Sequence, residues 1–307
     1  MNNGILKYGI QNRTGVEIFS GSAFNALSFC CTPIELLAND GSDSVISTAT
    51  GFFWQINDQP YLITNWHVIS GRNPFTGDLN SSGYIPTRLK FYGLSVSTNG
   101  KEINFSRRAW EVDWNDELSK KFEKPPNFHD QAIDIWAIPI QKECVFGRDA
   151  SRTGFNGSEF ISCFVNDYKG DNITTNVSDD CFILGYPLTN YDGLMPPIWK
   201  RGSIASETPL GIDGRPIFLV DAATTPGMSG SPIFRKITTL TAKNVNDYLI
   251  QEFSSFKLIG VYAGRLENKS LERVNIGYGW HCTMINAAIA YYGYQASNLS
   301  TISTNYL

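Results

Sequence analysis

Short runs of apolar and β-branched residues, each broken by polar turn residues, recur along the chain. They predict strands over Gly51–Ile56, Tyr61–Thr64, Thr87–Tyr92, Ile133–Ile140, Cys181–Leu184, Ile217–Val220, Pro232–Phe234 and Leu258–Tyr262. Asn57-Asp58-Gln59-Pro60 reads as the hairpin turn between the first two. Three stretches carry helical patterns instead. Trp114–Lys124 is charged and stops at Pro125-Pro126, and Asn244–Phe253 places Val245, Leu249 and Phe253 at helical spacing. Met284–Tyr292 is amphipathic and is read as ending at Gly293. The pattern predicts an all-β fold, a sandwich or barrel, with helical insertions and a C-terminal helix. No short-period repeat or low-complexity tract interrupts it.

Composition narrows the classes further. At 307 residues and 42% hydrophobic, the chain can bury one large core or two smaller ones, and wholesale disorder is excluded. Lys+Arg 25 against Asp+Glu 29 gives a net charge of -4, without the basic excess or basic runs of a nucleic-acid binder. No apolar run is long enough for a membrane span, and the N-terminus has no signal-peptide pattern. The six cysteines are dispersed, with no C-x-x-C pair for zinc or redox chemistry. A soluble cytoplasmic protein with free thiols, without metal or cofactor, is the expectation. The stretch Gly147–Ser158, rich in Gly, Ser and Asn, is the expected junction. It divides the chain into an extension 1–44, a first unit 45–150, a second unit 151–293 and a tail 294–307.

The chemistry concentrates in Asp221–Pro232. Ser229 sits between glycines in Gly227-Met228-Ser229-Gly230-Ser231, between two apolar strands. Glycines there allow a sharp turn that presents backbone N–H groups outward, as a serine attacking an acyl carbon requires. The same string also fits a plain hairpin turn. A serine hydroxyl needs an imidazole to accept its proton, and the chain has three histidines, His67, His129 and His281. His67 ends an apolar strand, His129 lies in a Pro/Asn-rich loop, and His281 follows an aromatic strand. The third requirement is a carboxylate to orient the imidazole. Asp134 stands among Ile133, Ile135 and Trp136, where a charge needs a partner. Asp130, between His129 and Gln131, is the competing carboxylate in a polar frame.

The order His67, Asp134, Ser229, each in its local motif, resembles the trypsin/chymotrypsin-fold serine peptidases, and most closely the bacterial Deg/HtrA protease domains and glutamyl endopeptidases. The resembling strings are Leu62-Ile63-Thr64-Asn65-Trp66-His67-Val68, Asp134-Ile135-Trp136-Ala137-Ile138 and Gly227-Met228-Ser229-Gly230-Ser231, with Thr50-Gly51-Phe52-Phe53 and Leu258–Gly264 flanking them. The resemblance spans about residues 45 to 292. It implies two antiparallel Greek-key β-barrels with the site between them and a closing C-terminal helix. It implies a serine endopeptidase with His67, Asp134 and Ser229 as triad and the N–H groups of Gly227 and Ser229 as oxyanion hole. It also implies a peptide lying as an added strand along Val261, Tyr262, Ala263 and Gly264. Ala223, six residues before the nucleophile, would form the base of the primary pocket; it carries no charge, so selection for Lys or Arg is not expected. The expected partner is a protein or peptide substrate, with a regulatory protein contacting the 245–253 helix as a further option. The rival readings are a catalytically inactive peptide-binding module and an esterase or other acyl transferase.

Overall fold

The computed structural model describes residues 8–9, 25–37, 44–80, 83–98, 103–113, 122–145, 159–160, 164–167, 174–187, 196–244, 247–266 and 275–296. In the first half the longer strands are β1 Cys31–Leu37, β2 Val45–Ile56, β3 Gln59–Thr64, β4 Arg88–Thr98, β5 Ile103–Asp113 and β6 Trp136–Pro139. They lie antiparallel in the order β5-β4-β1-β2-β3-β6, with the two-residue strands Tyr8–Gly9 and Glu159–Phe160 added on β5 and β4. In the second half β7 Asp180–Gly185, β8 Ile198–Ile204, β9 Ile217–Asp221, β10 Pro232–Asn244, β11 Asp247–Arg265 and β12 Ile276–His281 close into a barrel. The barrel order is β7-β8-β9-β12-β11-β10, with β10 returning to pair with β7.

Counted from its own first strand, the second half runs 1-2-3-6-5-4. The first half has the same neighbours except that, among the described residues, its fifth and sixth strands are not paired, leaving a half-barrel. The fold is therefore the expected all-β, two-part, chymotrypsin-like one. The repeat lies in connectivity rather than in residues, so no sequence period reveals it.

Local chemistry explains most boundaries. Asn57 and Asp58 adopt φ 48° and 61°, the left-handed pair of a two-residue hairpin, and join β2 to β3. Cys31–Leu37, inside the stretch read as an extension, is a strand between β2 and β4. Its Pro33 is tolerated because β4 pairs only from Ile34 onward, so the missing N–H leaves no ladder position empty on that side. The C-terminal helix, α2, runs Thr283–Ala296 and passes through Gly293 instead of ending there. Its Ile285, Ala288, Ile289 and Tyr292 fall at helical spacing, are buried, and pack toward β6. Each isoleucine so buried stabilises the fold by roughly 1.5–3 kcal/mol.

The expected helix over Asn244–Phe253 is not formed. Asn244 ends β10 and Asp247–Phe253 belong to β11, with Thr239 opposite Phe253 and Asn244 opposite Asp247. The β-branched run Ile237-Thr238-Thr239 and its cross-strand pairing outweigh the helical spacing. A regulatory contact through a helix there has no basis. The expected helix at 114–124 falls mostly on residues 114–121, and the expected junction at 147–158, outside the described residues. Among the described residues Cys31, Cys181 and Cys282 are free thiols. Burial holds the Cys31 thiol far above the usual range and, with the Asp180 charge, pushes Cys181 up to about 12. Among the described residues no helix is long and apolar enough to cross a membrane.

Candidate active site

His67 lies in the one-turn helix α1, Trp66–Ser70, directly after β3. The neighbouring Trp66 is buried and its indole N–H donates to the Phe122 carbonyl at 2.8 Å, which anchors the turn in the core. The Gly71 N–H closes on the His67 carbonyl at 3.1 Å.

Asp134 is 0% exposed and gives both carboxylate oxygens to one residue. Its Oδ1 accepts the His67 backbone N–H at 2.8 Å, and its Oδ2 lies 2.7 Å from His67 Nδ1. A carboxylate only accepts, so it selects the imidazole tautomer protonated at Nδ1 and leaves Nε2 able to take a proton. The buried Asn65 amide donates to the Asp134 carbonyl at 2.8 Å and fixes that backbone too. Asp130, the competitor, is exposed beside His129 at the tip of a tight turn, with φ 61° and 49° respectively. The structure therefore brings Asp134, and not Asp130, to His67.

Ser229 sits between two consecutive turns. In Thr225-Pro226-Gly227-Met228 the Met228 N–H reaches the Thr225 carbonyl at 3.3 Å, with proline second and Gly227 third at φ 93°, the type II pattern. In Met228-Ser229-Gly230-Ser231 the Ser231 N–H reaches the Met228 carbonyl at 3.0 Å, with Gly230 third at φ 85°. A Cβ on either glycine would collide with a carbonyl, that of Tyr186 or of Thr50. Among the described residues the N–H groups of Gly227 and Ser229 have no acceptor within the protein. They are two preorganised donors beside the serine.

His67, Ser229 and Gly227 line one cavity of about 220 Å³ between the halves, with Thr48, Val68 and Tyr84 among its walls. The Ser229 hydroxyl donates to the Ala263 carbonyl at 3.0 Å, not to His67.

The expected peptide edge shortens at its start. Val261 is already paired on both sides, to Pro232 and Trp280. Tyr262 pairs with Gly279, while its N–H and C=O are taken by the Ser231 carbonyl and the Gly230 N–H at 2.8 Å each. Neither residue has a main-chain group to offer. The edge facing away from β12 opens only from Ala263, followed by Gly264 and Arg265. Ala223 is exposed, and the neighbouring Thr224 is buried with its hydroxyl bonded to that of Tyr262. The Tyr262 ring lies against Gly277, and burial pushes its hydroxyl pKa up.

His129 and His281 line a different groove, about 380 Å³, with Leu210 and Met284. Burial and the Lys257 charge push the His281 pKa down. Neither histidine joins the site. The region around Gly264 has an element the sequence did not signal. Loop 71–80 holds its own shape through Asn73, whose side chain accepts the Phe75 N–H at 2.8 Å. It carries Phe75 across to the second half, onto the Tyr278 ring at 5.9 Å and under the Arg215 guanidinium at 4.8 Å. Among the described residues no group of three or more His, Cys, Asp or Glu side chains could hold a metal ion.

No family model matches this chain and no curated protein does. Solved structures of a protease, Rv3671c from M. tuberculosis, resemble it. An inactive serine-to-alanine mutant of strain H37Rv does so with TM-score 0.42 at 12% identity, over 92% of this chain and 96% of that one. The active form gives 0.41 at 14% identity, over 87% and 82%, and an inactive form 0.39 at 13%, over 86% and 89%.

Proposed function

We propose that the protein is a serine endopeptidase in which Ser229 is the nucleophile, His67 the general base and Asp134 the residue that orients it. The observation that carries this is the buried carboxylate holding both the backbone N–H and Nδ1 of His67, at 2.8 and 2.7 Å, on the cavity that Ser229 lines. His67 Nε2 takes the Ser229 proton as Oγ attacks the scissile carbonyl, and the imidazolium later gives it to the leaving amine. The negative charge on the carbonyl oxygen falls on the N–H groups of Gly227 and Ser229, which cost no reorganisation at that moment. Water then repeats the sequence on the acyl-enzyme.

The substrate adds as a strand to the free edge of β11 from Ala263 to Arg265, which demands main-chain groups rather than a set sequence. The closer kinship with Deg/HtrA and glutamyl endopeptidases rests on the motif strings alone. A fluorophosphonate probe tests the reading. The wild type should be labelled at Ser229, and Ser229→Ala and His67→Ala should not. An unlabelled, folded wild type would favour the inactive peptide-binding module instead.

A further inference from the structure

We infer that Thr50 is a positioning residue: reaching from the first half of the molecule, its hydroxyl sets the geometry of the Gly227 amide that faces the reacting carbonyl, while its main-chain N–H holds Ser229. The inference rests on the proposed role of Gly227 and Ser229.

Thr50 lies on β2 and is 0% exposed, yet each of its polar atoms has a partner. The hydroxyl donates to the Gly227 carbonyl at 2.8 Å and accepts the Tyr186 N–H at 2.9 Å. The Thr50 N–H donates to the Ser229 carbonyl at 2.9 Å. The Thr50 carbonyl accepts the hydroxyl of Thr64, three residues before His67, at 2.8 Å. Three of the four bonds thus cross into the second half, and two of these grip the main chain on either side of Met228. The fourth ties Thr50 to the strand that delivers His67.

The need for such a grip follows from the turn. A type II turn passes to type I by flipping its central peptide, here Pro226–Gly227, and the flip reverses the Gly227 N–H. Glycine is at ease on both sides of that flip, so the turn sequence does not choose between them. The adjacent peptide, 227–228, is planar, and its carbonyl is held by Thr50. Releasing that carbonyl frees Gly227 to leave φ 93° and turn its N–H away from the cavity. Valine in place of Thr50 keeps the shape and removes the hydroxyl; serine keeps the hydroxyl.

The test compares Thr50→Val and Thr50→Ser with the wild type in peptide turnover, and in the amide resonances of Gly227 and Ser229 with glycine and serine 15N-labelled. Thr50→Val should lower kcat about ten- to a hundredfold, less than the loss of a whole donor, with KM within about twofold. Thr50→Ser should recover most of the rate. The Gly227 amide resonance should move or broaden in Thr50→Val, more than that of Ser229, whose carbonyl the Thr50 main-chain N–H still holds, and both should stay in place in Thr50→Ser. Should Thr50→Val not fold, Thr64→Val, which frees only the Thr50 carbonyl, should give a smaller drop in kcat and a smaller shift of the same resonances. Unmoved resonances, or a loss equal in the serine and valine variants, would overturn the inference. A wild type that turns over nothing defeats the peptidase reading instead, and the resonances still decide the role of Thr50.

Discussion

Replacing Asp134 by asparagine changes one atom in a site with no room for error. The carboxylate now accepts two bonds from His67, and no solvent reaches it. An asparagine offers one acceptor and one NH2. Turned toward the His67 backbone, the NH2 meets a donor that cannot change. Turned toward Nδ1, it meets a ring that can yield by moving its proton to Nε2. The second arrangement is the cheaper, and it blocks the nitrogen that must accept from Ser229. Restoring the reactive tautomer forfeits a charge-assisted bond, about 1.5–3 kcal/mol, and leaves a buried donor unpaired, about 1–3 kcal/mol more. Together these raise the barrier enough to lower kcat by roughly two to four orders of magnitude at 1.36 kcal/mol per tenfold. The assay is initial rate on a cleaved peptide, with the melting temperature as a check on folding. Asp130→Asn is the internal control, because that residue sits exposed at a left-handed turn position that asparagine tolerates well. Asp134→Asn retaining more than a tenth of the wild-type rate, or Asp130→Asn losing as much, would refute the assignment.

Gly230→Ala should abolish turnover and lower the melting temperature, because its Cβ would strike the Thr50 carbonyl at a φ of 85° that alanine resists; normal activity would contradict the turn geometry. Full-length protein should be active without trimming: Met228, just before the nucleophile, is buried among Cys181, Ile233 and Tyr262 and offers no charge for a new N-terminus, so activity appearing only after cleavage near residue 45 would be contrary evidence. In a peptide library the residue before the cut should be small or medium and apolar, and a dominant Lys or Arg would contradict that. Phe75→Ala should leave that preference intact and admit bulkier side chains further upstream, where the Phe75 ring packs on Tyr278, the ring that lies against Gly264; an unchanged upstream profile would remove Phe75 from the substrate path.

The parts of this molecule that could be read from the chain are those carried by neighbours in sequence. A histidine ending an apolar strand, a carboxylate framed by isoleucines and a serine between glycines each state their role within about ten residues. The β10–β11 tip misled because Val245, Leu249 and Phe253 are four apart. That interval fits one face of a helix, but it is also even and so fits one face of a strand. Only the β-branched partner run distinguishes the two. The strand at Cys31–Leu37 was hidden by Pro33, whose acceptability depends on where β4 begins to pair. Thr50 was visible as part of a motif, but its bonds reach residues 136 and 177 positions away, which no local pattern encodes.

The two halves share one strand connectivity, and the reactive groups occupy matching corners of it. His67 follows the third strand of the first half, and Ser229 lies between the third and fourth strands of the second. A chain that follows the same path twice and places its proposed base at one half's corner and its proposed nucleophile at the other's divides the labour between two like frames. In the proposed mechanism each half supplies a task that the other does not, and neither half alone holds the full set of reacting groups. The proposed chemistry then depends on the pairing of the halves, and the seam between them, where Thr50 holds Gly227 and Ser229, is a place where one substitution reaches both.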